Sequence, residues 1–250
     1  MPIVAITGAT SGFGKACAEK FAANKYDIII TGRRNERLQE IRKQLEKDFG
    51  IRCLELCFDV QERNAVKEIF AGLPDEWKVI DLLINNAGLA LGRDYFDEAD
   101  LDDWDQMIDT NLKGLLYVSR AVLPYFPDKG GHIINIGSTA GKEVYEKGNV
   151  YCATKHAVDA ISKAMRIDLL RHGIKVTAIH PGAAETEFSM VRFKGDTGKA
   201  DAVYSGYKAL TAADIADAAW YCATLPPHVC INDLVITCTA QANSFYTDKQ

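Results

Sequence analysis

Pro2-Ile3-Val4-Ala5-Ile6-Thr7-Gly8-Ala9-Thr10-Ser11-Gly12-Phe13-Gly14 decides the fold. Residues 2–7 are a continuous apolar run, short enough to be a strand buried on both faces. A glycine turn follows, and an amphipathic helical pattern then runs to about Asn24. Strand, glycine turn and helix start together make an anion site, because unpaired backbone N–H groups at the helix N-terminus face the turn. Gly8, Gly12 and Gly14 let a diphosphate approach the backbone. The spacing G-x-x-x-G-x-G departs from the G-x-G-x-x-G dinucleotide fingerprint, and no G-K-[ST] follows as in a P-loop. Alone, the stretch also suits a simple glycine turn.

Outward from it, residues 26–32 read as a second strand, followed by Gly32-Arg33-Arg34. Dinucleotide folds that select NAD place an acid here, about 20 residues after the glycine turn, to hold the ribose 2′-hydroxyl. Two guanidiniums and no carboxylate suit a 2′-phosphate and favour NADP; the plainer reading is a solvated helix start. A helix over 35–49, a strand over 52–58 ending in Asp59-Val60, a helix over 62–71 and a strand running into Asn85-Asn86-Ala87-Gly88 come next. Strands separated by helices, without hairpin signals, specify a parallel sheet covered on both faces. Its ligand belongs at the carboxyl ends of the strands, where strand order switches.

The second half predicts a helix over 101–126 with Asn111 at its middle, and a strand over 132–138 that delivers Ser138. A loop over 139–149 precedes a helix over 150–171 that carries Tyr151 and Lys155. Four-residue spacing puts these two on one helical face, where an ammonium favours the phenolate over the phenol. An exposed aromatic beside a solvated charge is the plain alternative. A strand over 174–180 leads into Pro181-Gly182, and the polar, glycine-containing stretch at about 186–210 reads as a mobile lid. A helix over 210–224 and a seventh strand over 234–238 complete one domain, 1–250.

Composition narrows the function. A net charge of −5 offers no basic field for a nucleic-acid backbone. No apolar run is long enough to span a membrane, and the opening Met1-Pro2-Ile3-Val4 enters a strand at once, which predicts no signal peptide. The seven scattered cysteines read as reduced core residues, pointing to the cytoplasm. The five histidines show no ligand spacing, so no metal is expected.

Taken in order, TGATSGFG at 7–14, Asp59-Val60, NNAG at 85–88, Asn111, Ser138, YCATK at 151–155 and Pro181-Gly182 resemble the short-chain dehydrogenase/reductase family over essentially the whole chain. The resemblance implies a doubly wound Rossmann fold, a seven-stranded parallel sheet in the order 3-2-1-4-5-6-7, and a nicotinamide cofactor. TGRRNERLQE, NNAGLALG, INIGSTAG, TEFSMVRFKGD and LPPHVCIN look closest to the NADP-dependent 3-hydroxy acid dehydrogenases, the group that includes serine dehydrogenase and malonic semialdehyde reductase. The charged segment 142–147 departs from that pattern on the substrate side.

By this resemblance Tyr151 is the general acid or base, Lys155 lowers its pKa and holds the nicotinamide ribose, and Ser138 binds the substrate oxygen. Asn111 holds a water that links Lys155 to solvent. Gly8, Ser11, Gly12, Phe13 and Gly14 cradle phosphates, Arg33 and Arg34 take the 2′-phosphate, and Asp59 and Val60 flank adenine. Asn86, Ala87 and Gly88 line the adenosine and ribose; Pro181, Gly182, Ala184 and Thr186 bind the carboxamide side. Arg192, lowered by the lid, is the first candidate for a substrate carboxylate or sulfonate, with Lys142 and Lys147 behind it. The expected activity is hydride transfer between NADP and a small 3-hydroxy acid or its semialdehyde, by a homotetramer. Reduction of sulfoacetaldehyde or broader carbonyls, and a catalytically silent nucleotide-binding scaffold, are the alternatives.

Overall fold

The computed structural model describes residues 1–128 and 130–249. Its strands are β1 (Ile3–Ile6), β2 (Asp27–Gly32), β3 (Cys53–Cys57), β4 (Leu82–Asn85), β5 (His132–Ile136), β6 (Lys175–Pro181) and β7 (Asp233–Ile236). They form one sheet in the expected order, β3-β2-β1-β4-β5-β6-β7, with every neighbouring pair parallel. The chain winds outward from β1 to β3, then returns to β4 on the other side of β1. That reversal opens a crevice at the carboxyl ends of β1 and β4.

Helices cover both faces, so β1, β4 and β5 are buried throughout. Alternate residues feed two cores. Val4, Ile6, Ile28 and Ile30 pack towards α1 (Gly12–Ala23), α2 (Asn35–Phe49) and α9 (Ala212–Ala223). Ala5, Ile29, Leu83 and Ile133 pack on the opposite face with α3 (Arg63–Ala71) and the helix containing Val118. Local chemistry sets the helix starts: Thr211 and Asp214 close a capping box on α9, and the Asp100 carboxylate accepts from Asp102 N ahead of α4 (Leu101–Ile108).

Three expectations need correction. The helix over 101–126 is broken into α4, a six-residue π segment (Asp109–Gly114) and α5 (Leu115–Val122). The π turn carries Asn111, whose side chain is drawn inward to the backbone of Leu89. The polar stretch at 186–210 contains two helices, α7 (Glu187–Arg192) and α8 (Thr197–Tyr204), capped by the side chains of Thr186 and Asp196. All seven cysteines are free, but Cys57 is exposed at the end of edge strand β3 and Cys230 is half-buried. Among the described residues, no helix is long and apolar enough to cross a membrane.

At the end of β4 the Asn85 amide nitrogen finds its partners inside the protein, while its Oδ1 is buried without one. Asn85 Nδ2 donates to Ser119 Oγ at 2.8 Å and to Asn135 Oδ1 at 2.9 Å, and Asn135 Nδ2 donates to Ser162 Oγ at 2.9 Å. Ser162 lies on α6 (Asn149–Asp168), so this buried chain ties β4 and β5 to α5 and α6 beneath the crevice. Asn85→Ala strands two buried partners and is expected to cost about 2 kcal/mol of stability. Urea unfolding measures it; a loss below about 0.5 kcal/mol would mean the network is dispensable.

Candidate active site

The strand ends converge on a cavity of about 480 Å³ that stretches from Arg34 at one end to Arg192 at the other. The phosphate corner is built by β1 and α1. Gly8 lies at φ +65° and Gly12 at φ +51°, the left-handed region that glycine enters without strain. A Cβ on Gly14 would strike the Gly8 carbonyl oxygen and come within 2.5 Å of Asn86 Nδ2. The first turn of α1 has no acidic residue and the Ser11 side chain does not cap it, which leaves its N–H groups for an anion. This cradle fits a dinucleotide diphosphate.

Asn86 braces the cradle. Its Nδ2 donates to Thr7 O at 2.8 Å and Gly8 O at 3.1 Å, while Thr7 Oγ1 accepts from the backbone N–H groups of Asn86 and Ala87. Thr7 was not legible as a site residue; only the fold shows what its hydroxyl holds. Asp59 and Val60 line the cavity as expected, with Asp59 Oδ1 accepting from Gln61 N at 3.0 Å.

The two sequence-predicted arginines diverge. Arg34 faces the phosphate corner, donating to Thr10 Oγ1 (2.7 Å) and Ser11 Oγ (3.0 Å). Arg33 also lines the cavity, where its guanidinium pairs with Asp59 Oδ2 at 3.2 Å. Arg37, one turn further along α2, joins Arg34 instead, both holding the Glu187 carboxylate at the start of α7. Charged residues on an exposed helix start gave no sign of which carboxylate each guanidinium would meet.

The reacting corner lies on β5 and α6. Ser138, Tyr151 and Lys155 all line the cavity, with Tyr151 only 8% and Lys155 only 7% exposed. Lys155 Nζ donates to Ile136 O at 2.9 Å and stands 6.0 Å from the centre of the Tyr151 ring. Ser138 Oγ accepts from Ala140 N at 3.1 Å. Asn111 does not contribute a free amide: Nδ2 donates to Leu89 O at 2.8 Å and Thr154 Oγ1 at 3.1 Å, and Oδ1 accepts from Leu89 N at 2.8 Å. Its side chain clamps the loop after β4 to α6.

Burial dominates the protonation of both groups. It pushes the Tyr151 phenol far above its ordinary value, with Tyr145 adding to the rise, while Ser138 and the Arg192 guanidinium oppose it. It brings the Lys155 ammonium down to about 8. Desolvation is the leading influence on both groups.

On the carboxamide side Pro181, Gly182, Ala184 and Thr186 line the cavity. The Thr186 hydroxyl accepts from Phe188 N at 3.2 Å as the cap of α7. Gln241, from the tail that lacked any pattern, orders this corner, its Oε1 accepting from Ala183 N at 2.8 Å.

Of the three candidate cations, only Arg192 lines the cavity. Its guanidinium carbon lies 5.6 Å from the ring centres of both Tyr145 and Tyr151. Arg192 Nε donates to Gly92 O at 3.3 Å, but Nη2 is buried without a partner. Lys142 is instead committed to Asp159 (2.8 Å) and Asp233 (2.5 Å), and Lys147 lies 4.0 Å over the Tyr95 ring. The charged loop thus contributes Tyr145 to the cavity in place of its lysines. Asp159, His180 and Asp233 do gather within 4.8 Å of one another, a grouping their sequence spacing conceals, but the Lys142 ammonium already meets both carboxylates.

Lys155 titrates in the folded protein near 8 against an ordinary 10.5, so the folded state binds fewer protons between those values. Stability attributable to this group therefore rises as pH rises from about 8 to 10.5. Lys155→Met should stabilise the protein at pH 7 by on the order of 2 kcal/mol, allowing about 1 kcal/mol for the donor lost to Ile136 O. The gain should shrink across the same window; a pH-independent difference in urea unfolding would contradict the buried charge.

The geometry agrees with known proteins. A family model described as short chain dehydrogenase matches residues 2–197. The NADP-dependent 3-hydroxy acid dehydrogenase YdfG of Escherichia coli (strain K12) is 50% identical over 234 residues, 93% of each chain. A sulfoacetaldehyde reductase of Chromohalobacter salexigens is 45% identical over 245 residues, covering 97% of this chain and 96% of the relative. The closed form of a serine dehydrogenase complexed with NADP+ superposes with a TM-score of 0.92 at 47% identity, covering 99% of both chains. The chain belongs to the short-chain dehydrogenase family.

Proposed function

We propose that the protein is an NADP-dependent oxidoreductase acting on a small 3-hydroxy acid or the matching semialdehyde. The observation that carries the substrate class is the buried, unpartnered Nη2 of Arg192 beside Tyr151. An unpaired buried guanidinium nitrogen is costly, and a carboxylate two carbons from the reacting hydroxyl would satisfy it with a charge-assisted hydrogen bond. The 3-hydroxy acid named for the relative from E. coli has that shape of charge and hydroxyl.

NADP, when bound, supplies or accepts the hydride. The glycine cradle and the first turn of α1 hold the diphosphate, Arg34 and Arg37 hold the 2′-phosphate, and Lys155 holds the nicotinamide ribose. Tyr151 takes the proton from the substrate alcohol, or returns it to a carbonyl, with Ser138 donating to the substrate oxygen as charge develops there. Arg192 fixes the acid group so that the hydroxyl carbon meets the nicotinamide. Phe188, 5.8 Å from the Tyr151 ring, and Tyr145 exclude water from the same corner. A sulfonate would satisfy Arg192 equally, so sulfoacetaldehyde is the second reading, in keeping with the Chromohalobacter relative.

The same reading includes a lid formed by α7 and α8 and a homotetrameric assembly. Ala153, Ala160, Ala164 and Ile167 leave an exposed small and apolar stripe along α6, a surface that suits packing against a second copy.

Assays of 3-hydroxy acids, semialdehydes and sulfonated aldehydes, each with NADP and NAD, test the substrate class. Arg192→Met should lower kcat/KM for anionic substrates by about thirtyfold, equivalent to about 2 kcal/mol, and for a neutral alcohol by less than about threefold. Equal losses on both would remove Arg192 from substrate binding. Tyr151→Phe should cut kcat by at least about 10³ while NADPH affinity changes by less than about threefold. Retained turnover would refute its role.

A further inference from the structure

Glu187, the first residue of α7, reaches to the guanidiniums at the start of α2. Arg34 Nη1 donates to Glu187 Oε2 at 3.1 Å, and Arg37 Nη1 donates to Oε1 at 3.0 Å and Oε2 at 3.2 Å. Burial raises the Glu187 pKa, but hydrogen bonds from Arg34 and Arg37 outweigh it and hold the carboxyl below its ordinary value. The carboxylate therefore stands where two arginines converge beside Thr10 and Ser11, and it meets them as a phosphate monoester would.

The rest of α7 crosses to the reacting corner. Phe188 lies on the Tyr151 ring, Ser189 Oγ bonds Tyr204 Oη at 2.6 Å, and Arg192 approaches both Tyr145 and Tyr151. One short helix thus has its first residue on the 2′-phosphate arginines and its last on the catalytic tyrosine.

We propose that Glu187 is a positioning residue: an internal anion that competes with the 2′-phosphate of NADP for Arg34 and Arg37, so that NADP but not NAD detaches the start of α7 from α2. This deepens the proposed function and rests on its assignment of Arg34 and Arg37. A 2′-phosphate carries a charge of about −1.5 to −2 against −1 for a carboxylate, and presents three acceptor oxygens. It displaces Glu187 where a neutral 2′-hydroxyl does not. Glu187, Arg34 and Arg37 have side chains 49%, 42% and 46% exposed, so their pairing is weak and breaks readily.

The test compares full-length wild type, Glu187→Gln and Glu187→Asp. NADPH and NADH dissociation constants are measured by fluorescence titration, and hydrogen exchange of the amides of residues 187–192 is followed with saturating NADP+ or NAD+. Removing the competitor should tighten NADPH binding by about three- to tenfold and leave NADH binding within about twofold. Glu187→Asp, which keeps the charge but shortens the reach, should fall between wild type and Glu187→Gln. In wild type, amide exchange over 187–192 should differ between the two cofactors, and in Glu187→Gln that difference should vanish. Unchanged or weaker NADPH binding in folded Glu187→Gln, equal effects on NADPH and NADH, or identical wild-type exchange with both cofactors would overturn the proposal. Wild type that binds NADPH no better than NADH would overturn the arginine assignment itself, which separates failure of the underlying reading from failure of the competition.

Discussion

Lys155 places an ammonium at the buried carboxyl edge of the sheet, where the Ile136 carbonyl holds it at 2.9 Å. A charge so enclosed constrains everything near it. It fixes α6 against the end of β5, and Tyr151, one turn earlier, is thereby set inside the cavity, away from solvent. No carboxylate is among the influences that set the Lys155 pKa; burial alone brings it down to about 8. The upward shift of Tyr151 has the same leading cause. Because one desolvation drives both shifts, hydroxyl groups packed against the pair would reverse both, replacing the solvation that folding removed. Ribose hydroxyls and a substrate oxygen are groups of that kind.

Much of this arrangement was legible in the sequence because parallel topology converts chain order into spatial order. Each apolar run ends at the same edge of the sheet, so Gly8, Asp59, Asn86, Ser138 and Pro181 all had to meet there once the strands were recognised. Groups brought in by tertiary contact alone were not legible. Glu187 lies 153 residues from Arg34, and Gln241 lies 58 from the Ala183 amide it holds. Arg33 and Arg34 are adjacent and chemically equal, and only the exit angle of the chain into α2 sends one to Asp59 and the other to Thr10. The contacts of Asn111 were hidden for a related reason: a helical pattern does not announce a π turn, and it is that turn that draws the amide into Leu89 and Thr154.

In the charged loop 142–147 the side chain that reaches the cavity is not one of the lysines that composition suggested. Its lysines suggested contacts with an anionic substrate, yet Lys142 neutralises Asp159 and Asp233, and Lys147 covers Tyr95. These contacts pin the loop, and what it presents to the cavity is the aromatic ring of Tyr145. A long flexible ammonium gains little by being held at a cavity wall, whereas a ring excludes water at a small entropic cost. The cation that does line the cavity is Arg192, whose guanidinium lies beside the Tyr145 and Tyr151 rings.

The cavity therefore has guanidinium groups at both ends, and α7 connects them. At one end Arg34 and Arg37 are bridged by a carboxylate of the protein itself; at the other, Arg192 keeps a buried nitrogen unpartnered. The difference follows from exposure. The first pair is near half exposed, so solvent weakens any anion it holds and an internal carboxylate can be exchanged for a phosphate. The second is enclosed by Tyr145 and Tyr151, where an internal carboxylate would bind too tightly to yield to a small substrate. On the proposed reading, a site that must release product supplies its own counter-ion where water screens it and leaves the enclosed position to the substrate's charge.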